Sequence, residues 1–218
     1  MKRIPAPSRL TKLSSFTLVE LLVVMGIIAI LAAVTLNIGS VALNAAKRAK
    51  AANMATQIQT ACLNYYTEYS VYPVPTQGTP ADVSYGTNDA NDWEPLTYAL
   101  CGNINVANPA ATVTSTVANT RAIAFLNLKA SDADANGVPV NPISPSSVAG
   151  PYFNIAINSS YSGVLGVGTS AVQNMPNFTT TAGSWAAGGG SSTAGIAVWA
   201  NCNPNASTTN QAFWVHTY

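Results

Sequence analysis

The stretch FTLVELLVVMGIIAILAAVTL, Phe16 to Leu36, is apolar or small at almost every position and contains one charged residue, Glu20. As an α-helix its 21 residues would be about 31 Å long, close to the roughly 30 Å hydrocarbon core of a bilayer. An acid inside such a segment is by default a functional residue that needs a partner. The stretch therefore predicts a membrane-spanning helix with Glu20 as its first candidate functional residue.

Charge is distributed unevenly on the two sides of this helix. Before Phe16 there is no acid, and the basic residues are Lys2, Arg3, Arg9 and Lys12. The positive-inside rule places this basic end in the cytoplasm. The apolar run is longer than the core of a secretory signal and continues into more helix-forming sequence, which favours an anchor over a cleaved secretory signal.

The rest of the chain is poor in charge. Charged residues make up 8% of the 218 residues, against about 25% in a typical soluble protein. From Ala135 to Tyr218 there is no Asp, Glu, Lys or Arg. This composition is typical of surface and secreted structural proteins. No basic patch follows Lys50, so nucleic acid is not indicated as a partner.

The segment SSFTLVELLVVMGIIAILAAV, from Ser14 to Val34, resembles the prepilin N-terminus shared by type IV pilins and type II secretion pseudopilins. The resemblance implies that residues 1–15 are a basic leader. It implies that a prepilin peptidase cuts between Ser15 and Phe16 and methylates the Phe16 nitrogen. Ser15 stands where this family usually has Gly. Thr17 and Glu20 are then the assembly residues.

A cut before Phe16 would create a cation for Glu20. The new α-ammonium group lies one helical turn from the carboxylate, and in an assembly of parallel helices it could meet Glu20 of a neighbouring subunit. That pairing would neutralise both charges in the apolar core and fix the stagger between subunits.

Residues 38–72 predict an amphipathic continuation of the same helix, without proline until Pro73. One stripe is apolar and recurs at steps of three and four: Ala51, Ala55, Ile58, Cys62, Tyr65 and Tyr69. The opposite stripe is polar: Lys50, Asn53, Gln57, Thr60, Asn64 and Thr67. Residues 16–37 are accordingly the transmembrane and assembly segment of a helix whose second half lies on a head.

Residues 73–218 predict a periplasmic or extracellular head of loops and short strands, so the fold class is α+β with a small antiparallel sheet. A short helix is expected in Asn91–Leu100, and Thr120–Leu128 fits either a helical turn or a strand. Strands are expected in Pro151–Ile157, Gly163–Gly168, Ala194–Ala200 and Gln211–Tyr218. Alternation within Pro151–Ile157 indicates one well-buried face. The order YYTEYSVYP, AIAFLNL, PYFNIAIN, IAVWANCNPN resembles the head of major pseudopilins.

Two motifs in the head are candidate sites. Asp132, Asp134 and Asn136 begin a calcium loop with Gly137 at the turn, but Ile143 stands where an EF-hand has its final Glu. An ordinary acidic turn is the alternative. With Cys62 on the apolar stripe, a disulfide between Cys101 and Cys202 is expected in an extracytoplasmic head.

These features predict a structural subunit of a type II secretion pseudopilus. Its partners would be further copies of itself, the membrane, a prepilin peptidase, and an inner-membrane assembly platform with its ATPase. The subunit would be in the bacterial inner membrane before assembly and in a periplasmic or cell-surface filament afterwards. The alternatives are a type IV pilus subunit and a signal-anchored binding protein. No cofactor other than possible calcium is indicated, and no nucleophile–base pair suggests an enzyme.

Overall fold

The computed structural model describes residues 16–75, 82–85, 93–113, 115–143, 152–161, 163, 165, 195–202 and 214–217, without the side chains of residues 34–38, 201 and 214–215. The chain divides into two compact units, Met1–Leu43 and Asn44–Tyr218. The leader at residues 1–15 and most of the predicted strand at residues 163–168 lie outside the described residues.

The first element is a single long helix, α1, which spans Leu18–Tyr69 and has 52 residues. It contains no proline and is rich in alanine and leucine, which are strong helix formers. It ends where Ser70 turns into the left-handed region (φ 57°) and donates its backbone N–H to the Tyr66 carbonyl at 2.7 Å. The chain is helical throughout Leu18–Tyr69, two residues inside the predicted start, and the membrane-spanning character of the N-terminal part stays a prediction.

The second part of α1 buries the predicted face. Ala51, Ala55, Ile58 and Cys62 are fully buried, whereas every residue of the predicted polar stripe is exposed. Gln59 lies between the two faces and donates its Nε2 to the Ile196 carbonyl at 2.9 Å. The spacing of three and four residues therefore identified the helix face that covers the core.

The sheet has four antiparallel strands in sequential order: β1 (Val83–Tyr85), β2 (Asn154–Ile157), β3 (Ile196–Asn201) and β4 (Trp214–His216). Ile155 pairs with Val198 across β2 and β3, and both side chains belong to the buried cluster that contains Ile58. The expected α+β class with an antiparallel sheet is confirmed. Strand β1 is not among the strands expected from the sequence, because three residues are too few to show alternation.

Strand β2 differs from its prediction. The alternation indicated one buried face, yet Asn154 and Ala156 on the other face are 2% and 0% exposed. Both faces of β2 are therefore covered, and its two edges pair with β1 and β3.

The remaining helical elements are short. Helix α2 spans Glu94–Leu100, with Pro95 in its first turn, and a 3-10 helix spans Ala130–Asp132. The segment Thr120–Leu128 forms neither of the two expected elements. It is extended and irregular, with one isolated bridge between Ala124 and Cys101.

Candidate assembly site

Thr17 and Glu20 form a reciprocal cap at the start of α1. Thr17 donates its backbone N–H and its hydroxyl to Glu20 Oε2, each at 2.9 Å. Glu20 donates its own N–H to Thr17 Oγ1 at 3.2 Å. This is the capping-box arrangement, which satisfies backbone donors that have no partner inside the helix. The two predicted assembly residues therefore contact each other, and the carboxylate is turned back towards residue 16.

The helix behind this cap exposes apolar side chains in every direction. Phe16 is 72% exposed, Leu18 is 80% and Ile30 is 68%. The other exposed large apolar side chains of this part are Val19, Leu21, Leu22, Val23, Val24, Met25, Ile27, Ile28, Leu31, Val41 and Leu43. A helix that is apolar all round requires a cover on all sides, in contrast to the one-sided burial of residues 51–65.

Within the described residues, no helix combines the length and the apolarity that crossing a membrane requires. The predicted span at residues 16–37 therefore stays a prediction.

The candidate calcium loop is closed by its own hydrogen bonds. Asp134 Oδ1 accepts the backbone N–H groups of Asn136 at 3.0 Å and Val138 at 2.9 Å, and Asp134 Oδ2 accepts the Tyr152 hydroxyl at 3.1 Å. Gly137 has φ 81°, and a Cβ there would come 2.7 Å from Asn105 Oδ1, so the turn requires glycine.

A lysine from α1 contacts the same loop. Lys50 Nζ lies 2.5 Å from Asp132 Oδ1. In the described residues no group of three His, Cys, Asp or Glu side chains is placed to hold a metal ion. Asp132, Asp134 and Asn136 thus share a loop whose carboxylates already have donors, and calcium there stays a prediction.

All three cysteines are buried free thiols. The bond expected between Cys101 and Cys202 is not formed in the structure, because each cysteine has a separate environment. Cys101 ends α2 and bridges to Ala124, whereas Cys202 follows β3 with its Sγ 3.8 Å from Asn141 Oδ1. Burial raises the pKa of both thiols to about 11 and raises the pKa of the Cys62 thiol further.

We expect the folded chain to resist thiol reagents, because buried protonated thiols are poor nucleophiles. Maleimide labelling followed by mass spectrometry should add no label to the native chain and three labels to the unfolded chain. An Ile104→Cys variant is the matched control, since Ile104 is 43% exposed and a thiol there should react natively. A single label on the unfolded wild-type chain would instead establish the Cys101–Cys202 bond.

Two small cavities lie on either side of the segment 115–120. One has a volume of about 290 Å³ and is lined by Asn103, Ser115, Val117 and neighbouring residues. The other has about 200 Å³ and is lined mainly by Tyr65, Tyr69 and nearby loop residues. Neither lining contains a carboxylate, imidazole or amine, so these cavities supply no acid–base pair for catalysis.

Sequence reasoning missed Asn119, which joins α1, α2 and the loop at residues 119–123. Its Oδ1 accepts the Tyr69 hydroxyl at 2.7 Å, and its Nδ2 donates to the Ala99 carbonyl at 2.6 Å. It also makes two bonds to the backbone of Ile123. Asn119 is 3% exposed, so this network is a buried structural link.

The candidate site is therefore the start of α1, where the cap formed by Thr17 and Glu20 precedes a first part of the helix that has no buried face. What the chain does must be inferred from these residues and their geometry. Compared with protein-family models, curated proteins and solved structures, the chain has no match in any of the three.

Proposed function

We propose that this chain is a structural subunit of a type II secretion pseudopilus, anchored by residues 16–37 in the inner membrane until it is assembled. The observation that carries the proposal is the start of α1. A helix with exposed apolar side chains on every side begins at a cap whose acid is Glu20. Lipid can cover such a helix before assembly, and parallel copies of the same helix can cover it afterwards.

The cap gives Glu20 a different partner at each stage. In a single subunit the carboxylate accepts hydrogen bonds from Thr17. In a fibre the α-ammonium group of Phe16 from a neighbouring subunit becomes available, if the leader has been removed. A bond in which the ammonium and the carboxylate are both ionised is stronger than a bond from the neutral Thr17 hydroxyl, so assembly would be favoured and its register set.

The further partners come from the resemblance of Ser14–Val34 to prepilins. A prepilin peptidase would remove residues 1–15 and methylate the Phe16 nitrogen. An assembly platform in the inner membrane and its ATPase would extract subunits from the membrane. The head, residues 73–218, would be periplasmic before assembly and would form the outside of a periplasmic or cell-surface filament.

Two alternatives share this geometry. A type IV pilus subunit would use the same N-terminal helix with different assembly partners. A signal-anchored binding protein would need neither cleavage nor a partner from another subunit. The bonds from Thr17 favour this second alternative to the extent that they satisfy Glu20 within one chain.

Removal of the leader distinguishes the anchored protein from the fibre subunit. We expect mature chains to begin at N-methyl-Phe16, as measured by mass spectrometry of sheared fibres or of purified membranes. A Ser15→Gly variant, which restores the usual residue of the family, should be cleaved at least as completely. Recovery of peptides from Met1–Lys12 in assembled material would contradict the proposal.

A further inference from the structure

Three tyrosine rings stack at the surface of the head, and we call Tyr66, Tyr72 and Tyr161 the tyrosine ladder. The Tyr66 and Tyr72 ring centroids are 4.6 Å apart, and those of Tyr72 and Tyr161 are 5.5 Å apart. Both pairs have an interplanar angle of 28°. Tyr72 is thus the shared ring, in contact with one ring from α1 and one from the turn after β2.

The backbone reaches this arrangement through two residues in the left-handed region. Ser70 has φ 57° and returns the chain from the end of α1, so that Tyr72 meets Tyr66. Tyr161 itself has φ 56°. For a bulky side chain this conformation is strained, and the surroundings must impose it.

A buried acid holds the turn that carries Tyr161. Asp82 is 5% exposed, and its Oδ1 accepts the Ser160 hydroxyl at 2.7 Å and the Ser160 backbone N–H at 3.4 Å. The backbone N–H of Asn158, at the start of the turn, donates to the Gly195 carbonyl at 2.9 Å. A Cβ at Gly195 would collide with the Tyr72 hydroxyl, so the middle ring is fixed there as well.

The two outer rings remain open to solvent. Tyr161 is 49% exposed, as expected for a ring that is covered on one face only, and Tyr66 is 36% exposed. In the part of the chain that the structure describes, no hydrogen bond from either outer hydroxyl is found. Burial raises the pKa of the middle phenol, Tyr72, and the neighbouring phenols Tyr66 and Tyr161 raise it further.

We propose that the tyrosine ladder is a binding site for a neutral carbohydrate, with a sugar ring stacked on the open face of Tyr161. An aromatic face takes up the apolar C–H face of a sugar, and the hydroxyls of the two outer phenols, Tyr66 and Tyr161, can bond its hydroxyl groups. Tyr72 is packed between two rings, whereas Tyr161 keeps a half-exposed ring in a backbone conformation that glycine would adopt at lower cost. This inference goes beyond the proposed function and does not depend on fibre assembly.

The charges around the ladder favour a neutral ligand over a charged one. The residues that hold the rings are uncharged except for Asp82, which is buried and bonded to Ser160. Glu68, on the turn of α1 next to Tyr66, forms an ion pair with Arg121. Among the described residues in these contacts, an anionic ligand would find no unpaired cation and a cationic ligand no unpaired acid.

The test uses a Tyr161→Gly variant, because glycine removes the ring and at the same time relieves the left-handed backbone. Full chains in detergent micelles are applied to an array of neutral oligosaccharides of glucose, galactose, mannose and N-acetylglucosamine, with uronic and sialic acid oligosaccharides beside them. Wild type should bind neutral oligosaccharides only. Tyr161→Gly should bind at least about tenfold more weakly than wild type. Its melting temperature should be the same as that of wild type or higher.

An Ile104→Ala variant is the control, because it changes an exposed apolar residue outside the ladder and should bind within a few-fold of wild type. Tyr161→Phe retains the stacking ring but loses the hydroxyl, so its affinity should lie between those of wild type and Tyr161→Gly. Absence of binding by wild type, or undiminished binding by Tyr161→Gly, would overturn the proposal. A loss of fibres in Tyr161→Gly with unchanged glycan binding would assign the ladder to a contact with a second copy of the chain, and would overturn it too.

Discussion

Glu20→Val should prevent fibre assembly while the chain still inserts into the membrane and its head still folds. A lone acid in the apolar span opposes insertion by about 2.5–3.5 kcal/mol, so its replacement by valine does not oppose insertion. In the proposed fibre the change would remove the carboxylate that we expect to face the Phe16 ammonium of a neighbouring subunit. An unpartnered buried charge typically costs about 3–5 kcal/mol, and this penalty recurs at each subunit.

The variant Glu20→Gln separates the charge from the cap. Glutamine can accept the hydrogen bonds from Thr17 that glutamate accepts, so the start of α1 should stay intact. Only the charge is lost. If the ion pair between subunits drives assembly, both variants should yield fewer fibres than wild type by a factor on the order of ten or more.

The measurement is a count of sheared fibres by electron microscopy, in cells that carry the assembly machinery and contain equal amounts of each variant in the membrane. Wild-type fibre yield from Glu20→Gln together with loss in Glu20→Val would assign the role to the cap alone. Wild-type yield from both variants would favour the signal-anchored binding protein.

Trp93→Ala should have the largest effect on the stability of the head. The indole is fully buried, and its Nε1 donates to the Phe153 carbonyl at 2.7 Å, beside β2. Its ring also lies 6.4 Å from that of Tyr85 in β1. Replacement of a buried tryptophan by alanine lowers the free energy of unfolding by about 3–5 kcal/mol, out of a total of about 5–15 kcal/mol.

Urea unfolding followed by circular dichroism measures this loss. Trp93→Phe keeps most of the buried ring and removes the hydrogen bond, so its loss should be smaller than that of alanine. Ile104→Ala, at an exposed position, should stay within about 0.5 kcal/mol of wild type. Equal urea midpoints for Trp93→Ala and Ile104→Ala would show that the indole does not stabilise the core.

The helix could be predicted from local sequence because its signals are local. Periodicity at three and four residues assigned Ala51, Ile58 and Cys62 to the core, and their burial confirms it. The sites that sequence missed depend on contacts between distant residues. Asn119 contacts Tyr69 and Ala99, and Tyr161 stacks on Tyr72, but nothing in the neighbouring sequence of either residue indicates its partners.

The N-terminal site contains, within four residues, both a feature that was predicted and a feature that was missed. Thr17 and Glu20 have the spacing of a capping box, and this local signal was present in the sequence. The prediction for Glu20 was a partner in another subunit, and it did not include the hydrogen bonds from Thr17. The Cys101–Cys202 bond, which the structure does not form, stays a prediction, because pairing two distant cysteines requires knowledge of the fold.

The links between α1 and the rest of the head have a mechanical consequence. They are distributed along the helix: Lys50 binds Asp132, Gln59 binds the β3 carbonyl of Ile196, Tyr65 binds the Ala118 carbonyl, and Tyr69 binds Asn119. A force that pulls on the helix along its axis would load these bonds in parallel, as in shear, so they would have to break together. Tension would therefore have to overcome their combined strength before it could separate this helix from its head.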